Sequence, residues 1–298
     1  MPATIIDGEA AAAEIRANVA RAAAALKEKY GEVPGLATVL VGDDPASHSY
    51  VTMKGQDTKA AGMRSMDIRL SADTSEADLL ARVRELSADD SVDGILVQLP
   101  LPGHIRSDVI LAALNPDKDV DGLTEISAGR LVLGKPGLRP CTPEGCVILA
   151  KKARPNLSGA HCVVIGRSIL VGKPAGLLFL AENCTVSFAH SKTADPRGLC
   201  RTADIIVSAV GQLGLVRGDW IKPGAVVIDV GTNRIPAPSR KNPNRTRPTG
   251  DVVFEEAVEV AGFITPVPGG VGPMTRAGLL RNTVRAACLR RNWVIPEI

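Results

Sequence analysis

The chain has 298 residues, of which 45% are hydrophobic, 22% charged and only 3% aromatic, and its formal net charge is +3. This length favours two domains with separate cores, and the composition is ordinary for a globular protein. Few aromatic residues are available to stack on bases, and no apolar run approaches about 18 residues, so neither nucleic acid nor a membrane span is expected.

The amino-terminal segment and the cysteines predict a cytoplasmic protein without a metal. Acidic residues occur early and no basic region precedes an apolar one, so no signal or transit peptide is expected. The six cysteines and four histidines show neither metal-ligand spacing nor the density of a disulfide scaffold. We therefore expect reduced, mostly buried cysteines and no metal site.

The first half of the chain alternates helical and strand-like patterns, which is typical of βαβ units and a mostly parallel sheet. An Ala-rich amphipathic helix is predicted over residues 8–29. Further strands are predicted at 36–41, 65–70 and 94–99, and helices at 47–61 and 75–86.

The strand at 94–99 is apolar except for Gln98, and prolines follow it. A buried amide is costly unless it is hydrogen-bonded, so Gln98 is expected to face a polar ligand or side chain at the ligand-binding edge of the sheet. Upstream, Tyr50 and Lys54 lie one helical turn apart and share a face. Taken alone, such a pair is more often a core aromatic and a solvated charge.

From residue 160 the pattern predicts a second α/β domain, doubly wound and Rossmann-type. Its strands are predicted at 162–165, 185–188, 204–208, 226–230 and 262–264. Helix 143–153 is predicted to connect the domains, and helix 274–291 to cross back onto the first. We thus expect a domain of residues 1–139 plus 273–298, a second domain of 140–272, and a cleft between them.

Residues 236–249 are Pro-rich, basic and without apolar period, which predicts an exposed mobile loop. Solvated charge is the simplest interpretation of its arginines, although phosphate binding is an alternative.

A strand-to-helix turn at 166–174 is a candidate cofactor site. Gly166 allows a tight turn and Gly172 allows close backbone approach, while the helix N-terminus favours a phosphate. A plain structural turn would explain this motif in isolation. After the next strand, residues 190–192 lack the carboxylate that holds the ribose of NAD, and Arg167 suits a 2′-phosphate, so the pattern favours NADP.

Together and in this order, segments 47–54, 93–102, 118–122, 140–145 and 264–275 resemble the methylene-tetrahydrofolate dehydrogenase/methenyl-tetrahydrofolate cyclohydrolase family. The resemblance covers nearly the whole chain. It implies NADP-dependent oxidation of methylene-tetrahydrofolate, then hydrolysis of the methenyl product to formyl-tetrahydrofolate, by a homodimer.

The resemblance also implies roles for individual residues. Tyr50 would stack on the aminobenzoate ring of the folate, Asp121 would bind the pterin, and Lys54 with Gln98 would sit at the one-carbon bridge, with Lys54 as acid/base. The further residues implied to line the folate site are Leu99, Pro266, Gly269 and Gly270. Those implied to contact the cofactor are Gly166, Arg167, Ser168, His190, Ser191 and Thr232.

Three positions depart from the family pattern. Ser127 replaces an Asn in the loop beside the pterin, which is expected to affect substrate affinity more than the reaction itself. Thr232 replaces a common Ile and Ala189 a frequent Cys, which affects cofactor affinity more than the fold.

Two alternatives remain at this stage: a monofunctional dehydrogenase, and a non-catalytic regulator that binds folate or a dinucleotide. The feature that discriminates against the first is Lys54. Loss of Lys54, Gln98 or Asp121 would have favoured the second, and all three are present.

Overall fold

The computed structural model describes residues 1–238 and 246–298. The chain forms two compact units: unit 1 is Met1–Ala12 with Thr142–Thr275, and unit 2 is Ala13–Cys141 with Arg276–Ile298. The prediction that residues 1–12 share a domain with residues 13–139 was wrong. Strand β1 (Thr4–Ile5) instead pairs in parallel with a strand of unit 1, and two residues are too few to show a strand pattern in the sequence.

Unit 2 is built on a parallel sheet, as the alternating pattern predicted. The sheet has the strand order β3-β2-β4, and both pairs in it are parallel. Apolar residues of β2 and β4 pack with the third helix in one buried cluster. The elements are α1 (Gly8–Tyr30), β2 (Gly35–Val41), α2 (Pro45–Ala60), β3 (Arg64–Leu70), α3 (Glu76–Ala88), β4 (Gly94–Val97), α4 (Ser107–Ala112) and α5 (Glu125–Val132).

Capping side chains decide where two of these helices begin. Helix α2 starts at Pro45, two residues before the predicted start, because the Asp44 carboxylate accepts the Ser47 N–H at 2.7 Å and proline suits a first turn. Helix α3 starts after Ser75, whose hydroxyl accepts the Asp78 N–H at 3.1 Å.

Strand β4 ends at Val97, so the predicted end at Leu99 was two residues too long. The Gln98 N–H still donates to the Val39 carbonyl at 2.8 Å. Pro100 has no N–H to continue the ladder. Gln98 therefore lies at the first position beyond the strand.

Unit 1 contains the longer parallel sheet, with the strand order β1-β11-β8-β7-β5-β6. Strands β5, β7 and β8 are almost wholly buried, as expected for a sheet covered on both faces. The remaining elements are α6 (Cys141–Ala153), β5 (His161–Ile165), α7 (Gly172–Ala181), β6 (Thr185–Ala189), α8 (Pro196–Cys200), β7 (Ile205–Ser208), β8 (Val226–Asp229), β9 (Asn233–Pro236), β10 (Thr246–Thr249), α9 (Phe254–Ala257), β11 (Phe263–Ile264) and α10 (Val271–Arg291).

The predicted loop 236–249 has ordered ends. Strands β9 and β10 pair in antiparallel fashion, with Thr246 opposite Pro236. The predicted exposure agrees with the structure, but the prediction of a loop was wrong at these ends, because a largely exposed two-stranded ribbon needs no apolar period to form. The rest of that prediction, for residues 239–245, lies outside the described residues.

Helix α10 ties the end of the chain to unit 2. The buried Asn282 donates through its Nδ2 to the carbonyls of Val120 and Arg139, both at 2.8 Å. The bond to Val120 holds the residue that directly precedes Asp121. In the described part of the chain, no helix has both the length and the apolar character needed to cross a bilayer. All six cysteines are free and buried, as expected.

Candidate functional site

Lys54 and Gln98 meet where α2 passes the end of β4. The Lys54 Nζ donates to the Gln98 Oε1 at 2.9 Å, and the Gln98 Nε2 donates to its neighbour's carbonyl, that of Leu99, at 2.7 Å. The second bond fixes the amide so that its oxygen faces the lysine. Gln98 thus faces a polar side chain, as its place in an apolar segment predicted.

Burial changes the protonation of Lys54 and of the nearby Asp121. Desolvation lowers the pKa of Lys54, opposed by the negative charges of Asp121 and Cys141. Desolvation likewise raises the pKa of Asp121, opposed by the Lys54 charge. Both shifts favour the neutral forms, so the pair can exchange protons closer to neutral pH than exposed side chains could.

Two charged residues shortly before Asp121, Lys118 and Asp119, hold its segment in place. The fully buried Lys118 donates from Nζ to the carbonyls of Leu86 at 3.1 Å and Asp89 at 2.7 Å, at the end of α3. Asp119 accepts the Thr124 N–H at 2.8 Å. In the motif 118–122, Lys118 and Asp119 make structural hydrogen bonds, while Asp121 lies close to Lys54 and Cys141.

Ser127 belongs to the same structural network. It is buried, and its hydroxyl donates to the Asp119 carboxylate at 2.6 Å. Its N–H donates to the hydroxyl of Thr124, the N-cap of α5, at 3.2 Å. The departure at Ser127 therefore acts through the support of the loop 119–124.

Tyr50 is 42% exposed on α2, which leaves its ring available to a ligand. Leu99 is partly buried beside Gln98. The structure brings Lys54, Gln98 and Asp121 together within unit 2.

The predicted site residues Pro266, Gly269 and Gly270 belong to unit 1. There the Gly8 N–H donates to the Gly269 carbonyl at 2.9 Å, and Gly270 packs so closely on Gly8 that no Cβ would fit. Their sharing of a site with Lys54 stays a prediction.

A second candidate site lies at the carboxyl edge of the unit 1 sheet. Strand β5 has β6 on one side and β7 on the other, which is the switch point where open α/β sheets bind ligands. Gly166 follows β5 with φ of 119°, and a Cβ there would collide with the Ala209 carbonyl. A Cβ on Gly172 would lie 2.5 Å from the Gly166 carbonyl oxygen. Both positions require the close backbone approach that glycine permits.

Polar groups cluster at this edge. The Ser168 hydroxyl accepts the N–H groups of Val171 at 3.1 Å and Gly172 at 3.2 Å, so it organises the start of α7, and Arg167 beside it is exposed. The His190 Nδ1 accepts the Lys192 N–H at 3.1 Å.

Ser191 is exposed after β6, and Thr232 is exposed after β8. The predicted cofactor residues therefore all follow strands of one sheet edge: Gly166, Arg167 and Ser168 after β5, His190 and Ser191 after β6, and Thr232 after β8.

Sequence reasoning missed two buried carboxylates at the same edge, Asp229 and Asp251. Desolvation raises the pKa of Asp229 to about 6, although the N–H groups of Gly231, Asp251 and Val252 lower it. Asp229 could have been found from the sequence, because it is an acidic residue at the end of an apolar strand. No sequence pattern marks Asp251, since a Gly-Asp pair in a turn is common at surfaces.

Comparisons with known proteins agree along the whole chain. The family described as tetrahydrofolate dehydrogenase/cyclohydrolase, catalytic domain, matches residues 6–121, and its NAD(P)-binding domain matches residues 140–291. The bifunctional protein FolD of Maricaulis maris is 62% identical over 97% of each chain, and that of Hyphomonas neptunium is 63% identical over 100% of this chain and 99% of its own.

Solved structures show the same agreement. The Trypanosoma brucei methylenetetrahydrofolate dehydrogenase-cyclohydrolase, complexed with NADP cofactor and inhibitor, has a TM-score of 0.93 at 38% identity over 99% of this chain and 100% of its own. The bifunctional enzyme from Campylobacter jejuni has a TM-score of 0.90 at 43% identity over 96% of this chain and 99% of its own.

Proposed function

Because the chain belongs to the tetrahydrofolate dehydrogenase/cyclohydrolase family, we propose that unit 2 binds the folate and carries Lys54 as the proton-transferring group, and that unit 1 binds NADP. The enzyme oxidises methylene-tetrahydrofolate to methenyl-tetrahydrofolate and hydrolyses that product to formyl-tetrahydrofolate. The observation that carries the assignment of residues is the Lys54–Gln98 hydrogen bond beside Asp121.

The residues at the unit 1 edge fit NADP. The glycine turn at Gly166 lets backbone approach a ligand, and the start of α7 favours an anion. No carboxylate stands at residues 190–192 to repel a 2′-phosphate, and Arg167 offers a guanidinium. When bound, NADP supplies the hydride acceptor for the dehydrogenase reaction.

On the folate side, Tyr50 offers an exposed aromatic face to the aminobenzoate ring. Asp121 accepts hydrogen bonds from the N–H groups of the pterin. Lys54 and Gln98 then face the one-carbon bridge. For the dehydrogenase step these residues only need to orient the methylene carbon, because hydride transfer depends mainly on positioning.

The cyclohydrolase step needs a proton to move. A water oxygen bonds to the methenyl carbon while the neutral Lys54 Nζ takes one of its protons. The Lys54 Nζ then returns that proton to a ring nitrogen as the bond between this nitrogen and the carbon breaks, and the second proton of the added water passes to solvent, which leaves the formyl group. Gln98 Oε1 holds Nζ in place during both transfers.

The edge of the unit 1 sheet exposes apolar side chains that a homodimer would bury. Strand β6 ends the sheet, and Phe188 on it is 41% exposed, while Leu180 on α7 is 56% exposed. A second copy would cover this apolar edge, and sedimentation mass in solution is the test. The six free cysteines accord with the reducing environment of the cytoplasm.

The test of the function is a coupled assay with methylene-tetrahydrofolate and either NADP or NAD, followed by absorbance of the methenyl product and by its decay. We expect NADP-dependent formation and then hydrolysis. The Asp121→Ala variant should lose both activities while it keeps NADP affinity, because both reactions need the same folate pose. Unchanged folate affinity in that variant would show that Asp121 is structural.

A further inference from the structure

The buried carboxylate of Asp251 joins two loops at the carboxyl edge of the unit 1 sheet. Its Oδ2 accepts the backbone N–H groups of Val210 at 2.9 Å and Gly211 at 3.1 Å, in the loop that follows β7. Its Oδ1 accepts a hydrogen bond from Nδ2 of Asn233 at 2.9 Å, where β9 begins directly after the turn that follows β8. Each oxygen thus serves a different loop, which requires a side chain with two acceptors and no donor.

Each loop adjoins a residue that we assign to NADP. The Ala209 carbonyl, one residue before Val210, packs so tightly on Gly166 that a Cβ there would collide with it. Thr232 lies directly before Asn233. The conformation of both cofactor-facing turns therefore depends on the loops that Asp251 holds.

The backbone of Asp251 is itself held by a hydrogen bond to Asp229. Its own N–H donates to the Asp229 Oδ1 at 3.0 Å, and that oxygen also accepts the Gly231 N–H at 2.9 Å. The Asp251 side chain is completely buried, so water cannot replace its contacts without opening the edge.

We infer that Asp251 is a positioning residue for NADP: it sets the separation of the loops after β7 and β8 and so the shape of the sheet edge that we assign to NADP, without touching the cofactor. This inference rests on the proposed function, because the edge matters to activity only if NADP binds there. A merely structural Asp251 would stabilise unit 1 and leave the affinity for NADP unchanged.

Three variants test the contacts of Asp251 to the two loops separately. Asp251→Asn keeps an oxygen for Val210 and Gly211 but turns an NH2 group toward Asn233. Asn233→Ala removes the same contact from the other side. We expect each to raise the KM for NADP about 10-fold. Asp251→Ala releases both loops and should raise it about 100-fold, the cost of misplacing a binding group.

The matched control is Asp204→Asn, which removes a carboxylate from the opposite end of the same sheet, where it accepts the His161 N–H at 2.9 Å. Methenyl hydrolysis, assayed without NADP, and the KM for folate should stay within about twofold of wild type in all four variants. Partial unfolding would lower kcat and leave KM unchanged, so the split between them distinguishes positioning from stability.

Equal NADP affinity in wild type, Asp251→Asn and Asn233→Ala would overturn the inference and leave the proposed function intact. Absence of NADP binding by the wild type, in a direct titration, would overturn the proposed function and this inference with it. If Asp251→Ala does not fold, Asn233→Ala still decides the matter, because it leaves the carboxylate and its backbone contacts in place.

Discussion

At the scale of single residues, the protonation of Lys54 matters most. Its ammonium is desolvated, its pKa is lowered by burial, and its Nζ is held at 2.9 Å from the Gln98 Oε1. A lysine in that state can give and take a proton, whereas arginine keeps its charge at any working pH. The identity of this one cation therefore separates proton transfer from simple charge anchoring.

We predict that Lys54→Arg binds folate, retains measurable dehydrogenase activity and loses cyclohydrolase activity by at least the ~100-fold typical of a general acid/base. Methenyl-tetrahydrofolate should then accumulate in a forward assay. The decisive quantity is the rate of methenyl hydrolysis, with Lys59→Arg on the exposed face of the same helix as control. A rate within a few-fold of wild type would leave Lys54 as a positioning charge only.

Arg167 tests the choice between cofactors. Arg167→Ala should weaken NADP binding much more than NAD binding, because only NADP carries the phosphate whose charge-assisted pair is worth about 1.5 to 3 kcal/mol. Dissociation constants for both cofactors provide the measurement. Arg201→Ala, an exposed cation elsewhere in unit 1, should change neither. Equal weakening of both cofactors by Arg167→Ala would remove its assignment to the 2′-phosphate.

At the scale of elements, helix α5 supports the loop that carries Asp121. The Ser127 hydroxyl donates to the buried Asp119 carboxylate at 2.6 Å, so Ser127→Ala should cost about 1.5 to 3 kcal/mol of stability and raise the KM for folate. Denaturant titration and folate kinetics measure the two effects. Ser75→Ala removes the cap of α3 and should affect stability alone. A normal folate KM in Ser127→Ala would mean that the loop keeps its shape without this bond.

Strand β8 ends at Asp229, whose protonation state depends on pH. Because burial raises the pKa of Asp229 from 3.8 to about 6, the folded chain binds this proton more tightly than the unfolded chain. The contribution of the Asp229 carboxyl to the free energy of unfolding is fully present below pH 3.8 and is lost as the pH rises through 6. Between pH 5 and 7.5 the change amounts to about 1.4 kcal/mol.

The advantage of wild type over Asp229→Asn should therefore be larger at pH 5 than at pH 7.5, as measured by denaturant titration at both pH values. Asp204→Asn provides the contrast. The Lys222 hydrogen bond lowers the pKa of Asp204, so its contribution changes only in more acidic solution. An Asp229→Asn difference that stays constant from pH 5 to 7.5 would contradict the raised pKa.

At the scale of the whole molecule, the chain passes between its two units after Ala12, after Cys141 and after Thr275. Unit 2 is thus completed only by the last helix. Asn282→Ala removes the amide that donates to the carbonyls of both Val120 and Arg139, which should destabilise the protein by about 2 to 4 kcal/mol.

The same change should impair folate kinetics, because Val120 precedes Asp121, and leave NADP affinity near normal. Leu289→Ala, an exposed residue on the same helix, is the control. The prediction fails if Asn282→Ala loses affinity for NADP and folate equally.

The residue pattern was sufficient to predict the alternation of strands and helices, the parallel sheets and the position of Gln98. Period and composition are local properties, and βαβ units leave few other arrangements. The resemblance along the chain supplied the roles proposed for Tyr50, Lys54 and Asp121, which spacing alone could not.

Which carboxylates support the two candidate sites, by contrast, is a property of the folded chain. Whether Asp251 faces water or accepts buried N–H groups depends on Val210 and Gly211, which lie 41 and 40 positions earlier in the chain. The pairing of β1 with β11 is likewise invisible in two residues of sequence. Hydrogen bonds between distant segments form only after the chain has folded, and a local pattern carries no record of them.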